Sequence, residues 1–283
     1  RIIPLITLLL LALAGTVTAN ESEDDVAAEA PATGKGETPK QEEAPAAEDQ
    51  DTVKPLELLG KTVQPGTFET LHWAPDQSFR SIATPVPVLV AHGKEPGPRL
   101  CLTAAVHGDE LNGIEMVRRL MYELEPNELA GTVVGVPIVN LDGFRNGSRY
   151  LSDRRDLNRY FPGHKNGSAA SRVAYSLFNN IVRQCDYLVD LHTGSQKRIN
   201  QPQLRADLDK SDVVAFAKHF GGMTVLHSPP GEGMLRAAAV DEGVVAVTME
   251  AGGPNRLEEE AVDYGARRRH AARRRRRRRR GGG

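Results

Sequence analysis

Ionisable side chains cluster at three points in this sequence, each directly after a run of apolar residues. The clusters are His107 to Glu110, Asp190 to His192, and Glu250 to Gly253. A buried strand that ends in ionisable groups makes a poor core, because charges are rarely buried without a partner, but it makes a good site. The pattern therefore predicts a functional site that draws groups from three elements.

Two imidazoles and one carboxylate in these clusters could hold a metal ion. His107, Glu110 and His192 would give Zn²⁺ three protein ligands and leave a fourth position for water, as hydrolysis requires. Gly108 permits an unusual backbone turn, so that His107 and Glu110 can converge from one loop. Asp190 comes two residues before His192 and projects to the same side of an extended strand, where it can accept a hydrogen bond from the metal-binding ring.

Each of these features is weak when taken alone. A lone histidine after a strand is more often a hydrogen-bonded structural residue than a ligand, and His-x-x-Glu occurs by chance in many chains. The conjunction of the three clusters is what favours a metal site. The remaining histidines have no comparable partners and are expected to be structural: His72, His92, His164, His219, His227 and His270. For His227, which precedes Ser228-Pro229-Pro230, a functional role is left open.

A fourth cluster, between Ser148 and Gly163, is rich in arginine and includes Asn158. Guanidinium and amide groups can bind a substrate carboxylate or polarise a carbonyl oxygen. The alternative is a solvated loop with surface ion pairs, each worth only about 0–1 kcal/mol. Spacing alone does not choose between the two.

From Leu56 onward, short apolar runs alternate with helical periods, which is typical of an α/β domain. The predicted strands are Val86 to Ala91, Arg99 to Ala105, Thr132 to Val139, Tyr187 to Leu191, Met223 to Leu226 and Val244 to Met249. The predicted helices are residues 114–124, Ala169 to Gln184, Asp212 to Phe220 and Met234 to Asp241. In such sheets ligands bind beyond the carboxyl ends of the strands, where the ionisable clusters fall.

The segments before this domain predict export. Residues 1–19 contain an apolar run that ends in small residues, which indicates a signal peptide and is too short for the ~20 residues of a membrane span. A membrane anchor is the alternative. Residues 20–54 are acidic and almost free of large apolar side chains, so they are expected to form a disordered linker. We therefore expect an exported protein, periplasmic or secreted.

Residues 266–283 form an arginine-rich tail after the predicted catalytic domain, residues 55–265. The net charge of the whole chain is −1, but eleven of its cations are tail arginines, so the rest of the chain is acidic. Such a tail could bind nucleic acid or an anionic membrane. A run of one residue type that ends in Gly-Gly-Gly is more typical of a truncated or frame-shifted end, so we assign the tail no function.

Cys101 and Cys185 lie in apolar segments. Export would permit a disulfide between them. Nothing in the sequence brings the two residues together, so the favoured interpretation is two buried thiols. The chain has no Cys-x-x-Cys pair, which excludes a structural zinc site held by thiolates.

The ordered motifs resemble those of a known family. His107-Gly108-Asp109-Glu110, Asp156-Leu157-Asn158-Arg159, Asp190-Leu191-His192 and Thr248-Met249-Glu250 occur in the order seen in the succinylglutamate desuccinylase/aspartoacylase family, part of the wider zinc carboxypeptidase-like group. The resemblance spans about residues 55–253. It implies a three-layer α/β/α domain with a mixed sheet.

The resemblance also implies roles for individual residues. His107, Glu110 and His192 would bind one Zn²⁺ per chain, and Glu250 would deprotonate the zinc-bound water and pass the proton to the leaving amine. Arg149 resembles the arginine that polarises the substrate carbonyl, with Arg154 or Arg155 as the fallback. Asn158 and Arg159 resemble the pair that holds a substrate carboxylate.

Two departures from the family bear on the substrate. Members typically carry a β-rich C-terminal domain that shapes the pocket, whereas this chain continues into arginines. Members that act on acylated amino acids are usually cytosolic, whereas this chain has the signature of export.

The sequence therefore predicts a zinc-dependent deacylase that cleaves an amide or ester bond of a small carboxylate-bearing substrate, such as an N-acyl amino acid. The first alternative is a metallocarboxypeptidase or peptidoglycan amidase on the same scaffold. The second is a non-catalytic protein that binds anions or nucleic acid, although a pure binder would not need a base beside an open metal site. No nucleic-acid partner and no stable membrane anchor are expected.

Overall fold

The computed structural model describes residues 53–75 and 84–266. The predicted signal peptide, the linker up to residue 52 and the arginines from residue 267 lie outside these ranges. The strands are β1 Leu56–Leu58, β2 Lys61–Val63, β3 Thr67–Trp73, β4 Val86–His92, β5 Glu95–Ala104, β6 Ala130–Val136, β7 Tyr187–His192, β8 Asn200–Ala206, β9 Thr224–His227 and β10 Val245–Gly252. The α-helices are α1 Asn112–Tyr122, α2 Leu141–Arg145, α3 Ala169–Asn180, α4 Ser211–Lys218, α5 Leu235–Asp241 and α6 Glu259–Gly265. Short 3₁₀ turns span Pro126–Glu128, Leu157–Arg159 and Val182–Gln184.

A mixed sheet of eight strands, in the order β3-β4-β6-β5-β7-β10-β8-β9, forms the centre of the domain. The inner strands β6, β5, β7 and β10 run parallel, and β4 and β8 flank them in the antiparallel sense. Every residue of β6 is buried, as expected for a strand covered on both faces. The parallel inner strands bring their carboxyl ends to one edge of the sheet.

Helices cover both faces of this sheet. On one face the apolar sides of α3 and α5 pack through residues such as Leu177, Phe178 and Leu235. On the other face α1, α4 and α6 pack through residues such as Met116 and Phe216. The predicted three-layer α/β/α architecture with a mixed sheet is confirmed.

The sequence predictions located the inner strands and main helices but missed several peripheral elements. The predicted helix from Ala169 to Gln184 is α3 followed by a separate 3₁₀ turn. The missed strands include β8, whose sequence Asn-Gln-Pro-Gln-Leu-Arg-Ala is mostly polar. A strand with so few apolar residues gives no alternating hydrophobic signal, and its pairing with β10 depends on long-range contacts.

The two cysteines form a disulfide, so the favoured interpretation of two buried thiols was wrong. Cys101 lies on β5, and Cys185 lies just before β7, which pairs with β5 in parallel. The register aligns Leu100 with Tyr187, and the Cα atoms of the two cysteines are 6.0 Å apart. The adjacency of strands far apart in sequence brings the two thiols together.

Among the described residues, no helix combines the length and the apolar character that crossing a membrane requires.

Candidate active site

The three ionisable clusters meet at the carboxyl edge of β5, β7 and β10. Ala104, the last residue of β5, is aligned with Leu191 on β7, and Glu250 on β10 is aligned with His192 on β7. His107 follows β5 by three residues. Parallel pairing thus brings together His107, His192 and Glu250, which are separated by 85 and 58 positions along the chain.

His107, Glu110 and His192 converge as the sequence predicted. The Nδ1 atom of His107 lies 2.9 Å from Glu110 Oε1, and the Nδ1 atom of His192 lies 2.7 Å from Glu110 Oε2. One potential ligand atom from each residue lies within 4.8 Å of the other two, and all three residues are buried. The Glu110 carboxylate therefore contacts one nitrogen of each imidazole, so the three potential metal ligands are already close together.

The loop that carries His107 and Glu110 depends on two small residues. Ala105 has a φ of 48°, in the left-handed region that residues with a side chain seldom adopt. A Cβ atom on Gly108 would lie 2.0 Å from the carbonyl carbon of Gly143 in α2. Gly108 is thus required for close packing against α2, and the unusual backbone turn lies three residues earlier, at Ala105.

Each histidine also contacts a carboxylate through its other ring nitrogen. His192 Nε2 lies 2.7 Å from Asp190 Oδ2, and the hydroxyl of Thr103 donates a hydrogen bond of 2.8 Å to Asp190 Oδ1. His107 Nε2 lies 3.0 Å from Asp156 Oδ1. The contact of Asp190 matches its sequence prediction, whereas Asp156 was singled out only as part of a motif and was given no role.

The electrostatics of the cluster favour charged forms despite burial. Burial by itself would raise the pKa of the Glu110 carboxyl, but the charges and hydrogen bonds of His192 and His107 outweigh it and hold that pKa well below its usual range. Burial by itself would lower the pKa of the His192 ring, but Asp190 and Glu110 raise it well above its usual value. The cluster thus pairs a carboxylate with cationic imidazole when no other cation is bound.

The donor set fits a zinc ion. Two imidazole nitrogens and a carboxylate oxygen are ligands that zinc accepts, and three protein ligands are typical of catalytic rather than structural zinc sites. The Nε2 contacts with Asp156 and Asp190 fix both rings, as outer carboxylates do for zinc-binding histidines. A divalent cation bound by these three residues would replace the direct contacts between the two rings and Glu110.

Glu250 lies on β10 and lines the same cavity as His107, Glu110 and His192. The side-chain amide of Asn200 donates a hydrogen bond of 2.7 Å to Glu250 Oε2. The Nε atom of Arg205 lies 3.1 Å from Glu250 Oε1, but its N–H is not aligned for a hydrogen bond. Both contacting residues come from β8, one of the strands that the sequence prediction missed.

The arginine-rich loop contributes Arg149, Asn158 and Arg159 to the cavity wall. The guanidinium of Arg149 donates to Glu110 Oε1 at 3.2 Å and to Asp156 Oδ2 at 3.0 Å. Asn158 is buried, and its Oδ1 accepts a hydrogen bond from the backbone N–H of Leu235. Three residues of this segment therefore belong to the cavity lining, while others of its residues lie at the surface.

Arg154 and Arg155, the alternatives to Arg149 as the carbonyl-polarising arginine, lie away from the cavity. Arg155 forms an ion pair of 2.7 Å with Asp153 and is half exposed. Arg154 has a φ of 63° and is also exposed. Neither residue lines the cavity, so Arg149 is the arginine of this loop that lies beside the histidine and carboxylate cluster.

The cavity has a volume of about 300 Å³, and part of its lining is basic. Arg198, Arg205 and Arg236 line it together with the arginines of the loop. Arg236 is only 3% exposed; it donates one hydrogen bond to the Ser228 carbonyl oxygen, and its Nε has no partner among the described residues. A buried guanidinium with an unmet N–H favours an anionic ligand. No apolar periodicity marks these arginines, and only their convergence in the fold identifies them.

Comparisons with known proteins identify relatives of this chain. A curated relative is 30% identical over 188 residues, the N-alpha-acetyl-L-2,4-diaminobutyric acid deacetylase of Halomonas elongata, with 64% of this chain and 55% of that protein covered. A succinylglutamate desuccinylase/aspartoacylase structure from Rhodobacter sphaeroides has a TM-score of 0.63 and 27% identity over 70% of this chain and 62% of that one. The product-bound ectoine utilization protein EutE (DoeB) of Ruegeria pomeroyi has the same TM-score and identity over 77% of this chain and 68% of that one.

The chain spans only about half the length of the curated relative that it matches. The model of the succinylglutamate desuccinylase/aspartoacylase catalytic domain matches residues 96–275, which include every residue of the site described above. The chain belongs to the succinylglutamate desuccinylase/aspartoacylase family.

Proposed function

We propose that this protein is a zinc-dependent deacylase that hydrolyses the amide bond of a small N-acyl amino acid. One observation carries the proposal: the His107, Glu110 and His192 donor group and the carboxylate of Glu250 open on one cavity. A site that only bound a metal or an anion would not need a carboxylate held beside the metal ligands.

Each group has a separate role in the proposed hydrolysis of the amide bond. Zinc bound by His107, Glu110 and His192 would lower the pKa of water towards ~7 and polarise the substrate carbonyl. Glu250 accepts a proton from the attacking water and delivers it to the leaving nitrogen as the carbon–nitrogen bond breaks. Arg149 donates hydrogen bonds to the carbonyl oxygen, which becomes more negative as the water adds.

The cavity supports a small, carboxylate-bearing substrate. Asn158 and Arg159 hold the carboxylate in this proposal, and the buried guanidinium of Arg236 adds positive charge to the cavity lining. A volume of about 300 Å³ is at the lower end for ligand pockets, which favours an acylated amino acid over a long peptide. The curated relative, whose name describes an N-acetyl amino acid deacetylase, supports the same substrate class.

We propose that the protein acts outside the cytosol. The signal-peptide pattern predicts export, and the disulfide between Cys101 and Cys185 supports it, since disulfides persist mainly in oxidising compartments.

The test is a pair of variants of the full chain, compared on N-acetyl, N-succinyl and short cell-wall peptide substrates with zinc content measured on each protein. Glu250→Gln keeps the shape and the metal ligands, so we expect one zinc per chain and a loss of turnover of about 10²–10⁴-fold. His107→Ala should lose both zinc and turnover. Glu260→Gln, at an exposed position on α6, is the matched control and should behave as the wild type.

Full turnover in Glu250→Gln would remove the proposed base, and full turnover in zinc-free His107→Ala would remove the metal mechanism. Hydrolysis of the cell-wall peptides, with no turnover of the acyl amino acids, would replace the deacylase by the peptidase alternative.

A further inference from the structure

We propose that Asn200 is a positioning residue for Glu250: its amide fixes one oxygen of the carboxylate so that the other faces the cavity as proton acceptor. The proposal rests on the proposed function in assigning Glu250 as the base. It adds a residue from β8, outside the four motifs that carry the family resemblance.

The strand arrangement puts Asn200 within reach of Glu250 despite an offset in the pairing. β8 runs antiparallel to β10, with Gln203 aligned with Glu250 and Asn200 aligned with Gly252. The register shifts between Glu250 and Gly252, and such an irregularity turns a side chain away from the direction that regular pairing would give it. Asn200, the first residue of β8, can then reach across to Glu250.

The two carboxylate oxygens of Glu250 have different surroundings. Oε2 accepts a hydrogen bond of 2.7 Å from the Asn200 amide. Oε1 lies 3.1 Å from Arg205 Nε, yet the N–H of that atom is not aligned with it. Oε1 therefore experiences the positive charge of Arg205 while it keeps lone pairs for a proton.

Positioning matters because the hydrogen bond from Asn200 is the aligned polar contact of the Glu250 carboxylate among the described residues, whereas Arg205 lies close without alignment. Its side chain is 13% exposed at the cavity wall, and a glutamate there has several torsions that could turn the carboxylate away from the reacting water. A displacement of about 1 Å at a reacting group can cost on the order of 10²-fold in rate. The Asn200 hydrogen bond selects one carboxylate orientation before the substrate arrives.

The kinetic test compares two substitutions that separate hydrogen bonding from packing. Asn200→Ala removes the amide, and we expect kcat to fall about 10- to 100-fold, with KM within about 3-fold and zinc content unchanged. Asn200→Asp keeps the size but replaces the donor by a second carboxylate, so kcat should fall at least as far. If Asn200 only filled space, Asn200→Ala would be the worse variant, because Asn200→Asp keeps the size; that order, or a change confined to KM, overturns the proposal.

Gln201→Ala is the matched control, because Gln201 is an exposed amide on the same strand. It should leave kcat, KM and zinc content unchanged.

A structural readout separates this proposal from the proposed function. In crystals of the metal-free full chain, Glu250 should occupy one rotamer in the wild type and a displaced or mixed one in Asn200→Ala. An unchanged Glu250 rotamer in Asn200→Ala overturns the positioning role whether or not the wild type hydrolyses any substrate. A wild type without turnover would instead count against the deacylase assignment, while the rotamer comparison would still decide the role of Asn200.

Discussion

His107 Nε2 lies 3.0 Å from Asp156 Oδ1, so a loop 49 positions further along the chain orients the ring of a proposed metal ligand. The other oxygen of Asp156 accepts a hydrogen bond from Arg149, which also contacts Glu110. Burial by itself would raise the pKa of Asp156, but hydrogen bonding to His107 and the charges of His107 and Arg149 hold that pKa well below its usual range. One carboxylate thus links the metal ligands to the arginine proposed to polarise the substrate.

Removal of this carboxylate should weaken the metal site. We expect Asp156→Ala to lower zinc affinity about 10- to 100-fold, because His107 loses the partner that fixes the orientation of its ring. Competition against a fluorescent zinc chelator measures the change. Asp153→Ala, in the same loop but paired with Arg155 at the surface, is the control and should bind zinc as the wild type does. Equal affinities in the two variants would contradict the role of Asp156.

Zinc binding should release protons and strengthen as the pH rises. The pKa of His192 is raised well above its usual value of 6.5 in the metal-free protein, largely because Asp190 and Glu110 offset the cost of its burial. Between pH 6.5 and that raised pKa the ring is protonated, whereas a zinc ligand must be neutral. We therefore expect zinc affinity to increase with pH through this window, with about one proton released per zinc at pH 7.

Calorimetric titration with zinc in buffers of different ionisation enthalpy counts the released protons. A pH-independent affinity between pH 6.5 and 8, with no proton release, would show that the His192 ring is already neutral before zinc binds.

The inner part of this fold was predictable because its signals are local. Continuous apolar runs identified β5, β6, β7 and β10, and ionisable residues at the ends of three of them indicated where a site would form. The conjunction of His107, Glu110 and His192 could be inferred, since parallel strands bring their carboxyl ends to one edge.

The rest of the site depends on contacts between distant parts of the chain. Asn200 and Arg205 lie on β8, a polar strand without a periodic signal, and their approach to Glu250 depends on its pairing with β10. The disulfide between Cys101 and Cys185 required the knowledge that β5 and β7 are neighbours. Arg236 lies on α5, where the sequence gives no reason to distinguish a buried arginine from a solvated one.

Two arginines of the same loop should have separable effects on catalysis. Arg149 faces Glu110, so Arg149→Ala should lower kcat about 10²–10³-fold, as expected for the loss of a donor to the reacting carbonyl. Arg159 is proposed to hold the substrate carboxylate, so Arg159→Ala should raise KM about 10- to 100-fold and change kcat less.

Steady-state kinetics on the best N-acyl amino acid tests this separation. Arg155→Ala provides the control, since Arg155 pairs with Asp153 outside the cavity and should leave both constants unchanged. A KM effect for Arg149→Ala together with a kcat effect for Arg159→Ala would reverse the two roles.

The disulfide should stabilise the domain without taking part in catalysis. It closes a loop between positions 84 residues apart, and neither cysteine lines the cavity. Such a crosslink restricts the unfolded chain and is typically worth about 2–5 kcal/mol of unfolding free energy.

Urea unfolding of the wild type should therefore shift to lower urea after reduction, while kcat measured without denaturant stays the same. The double variant Cys101→Ala/Cys185→Ala should unfold at low urea whether or not reductant is present. Identical unfolding curves for the oxidised and reduced wild type would show that the crosslink between β5 and the start of β7 adds nothing to stability.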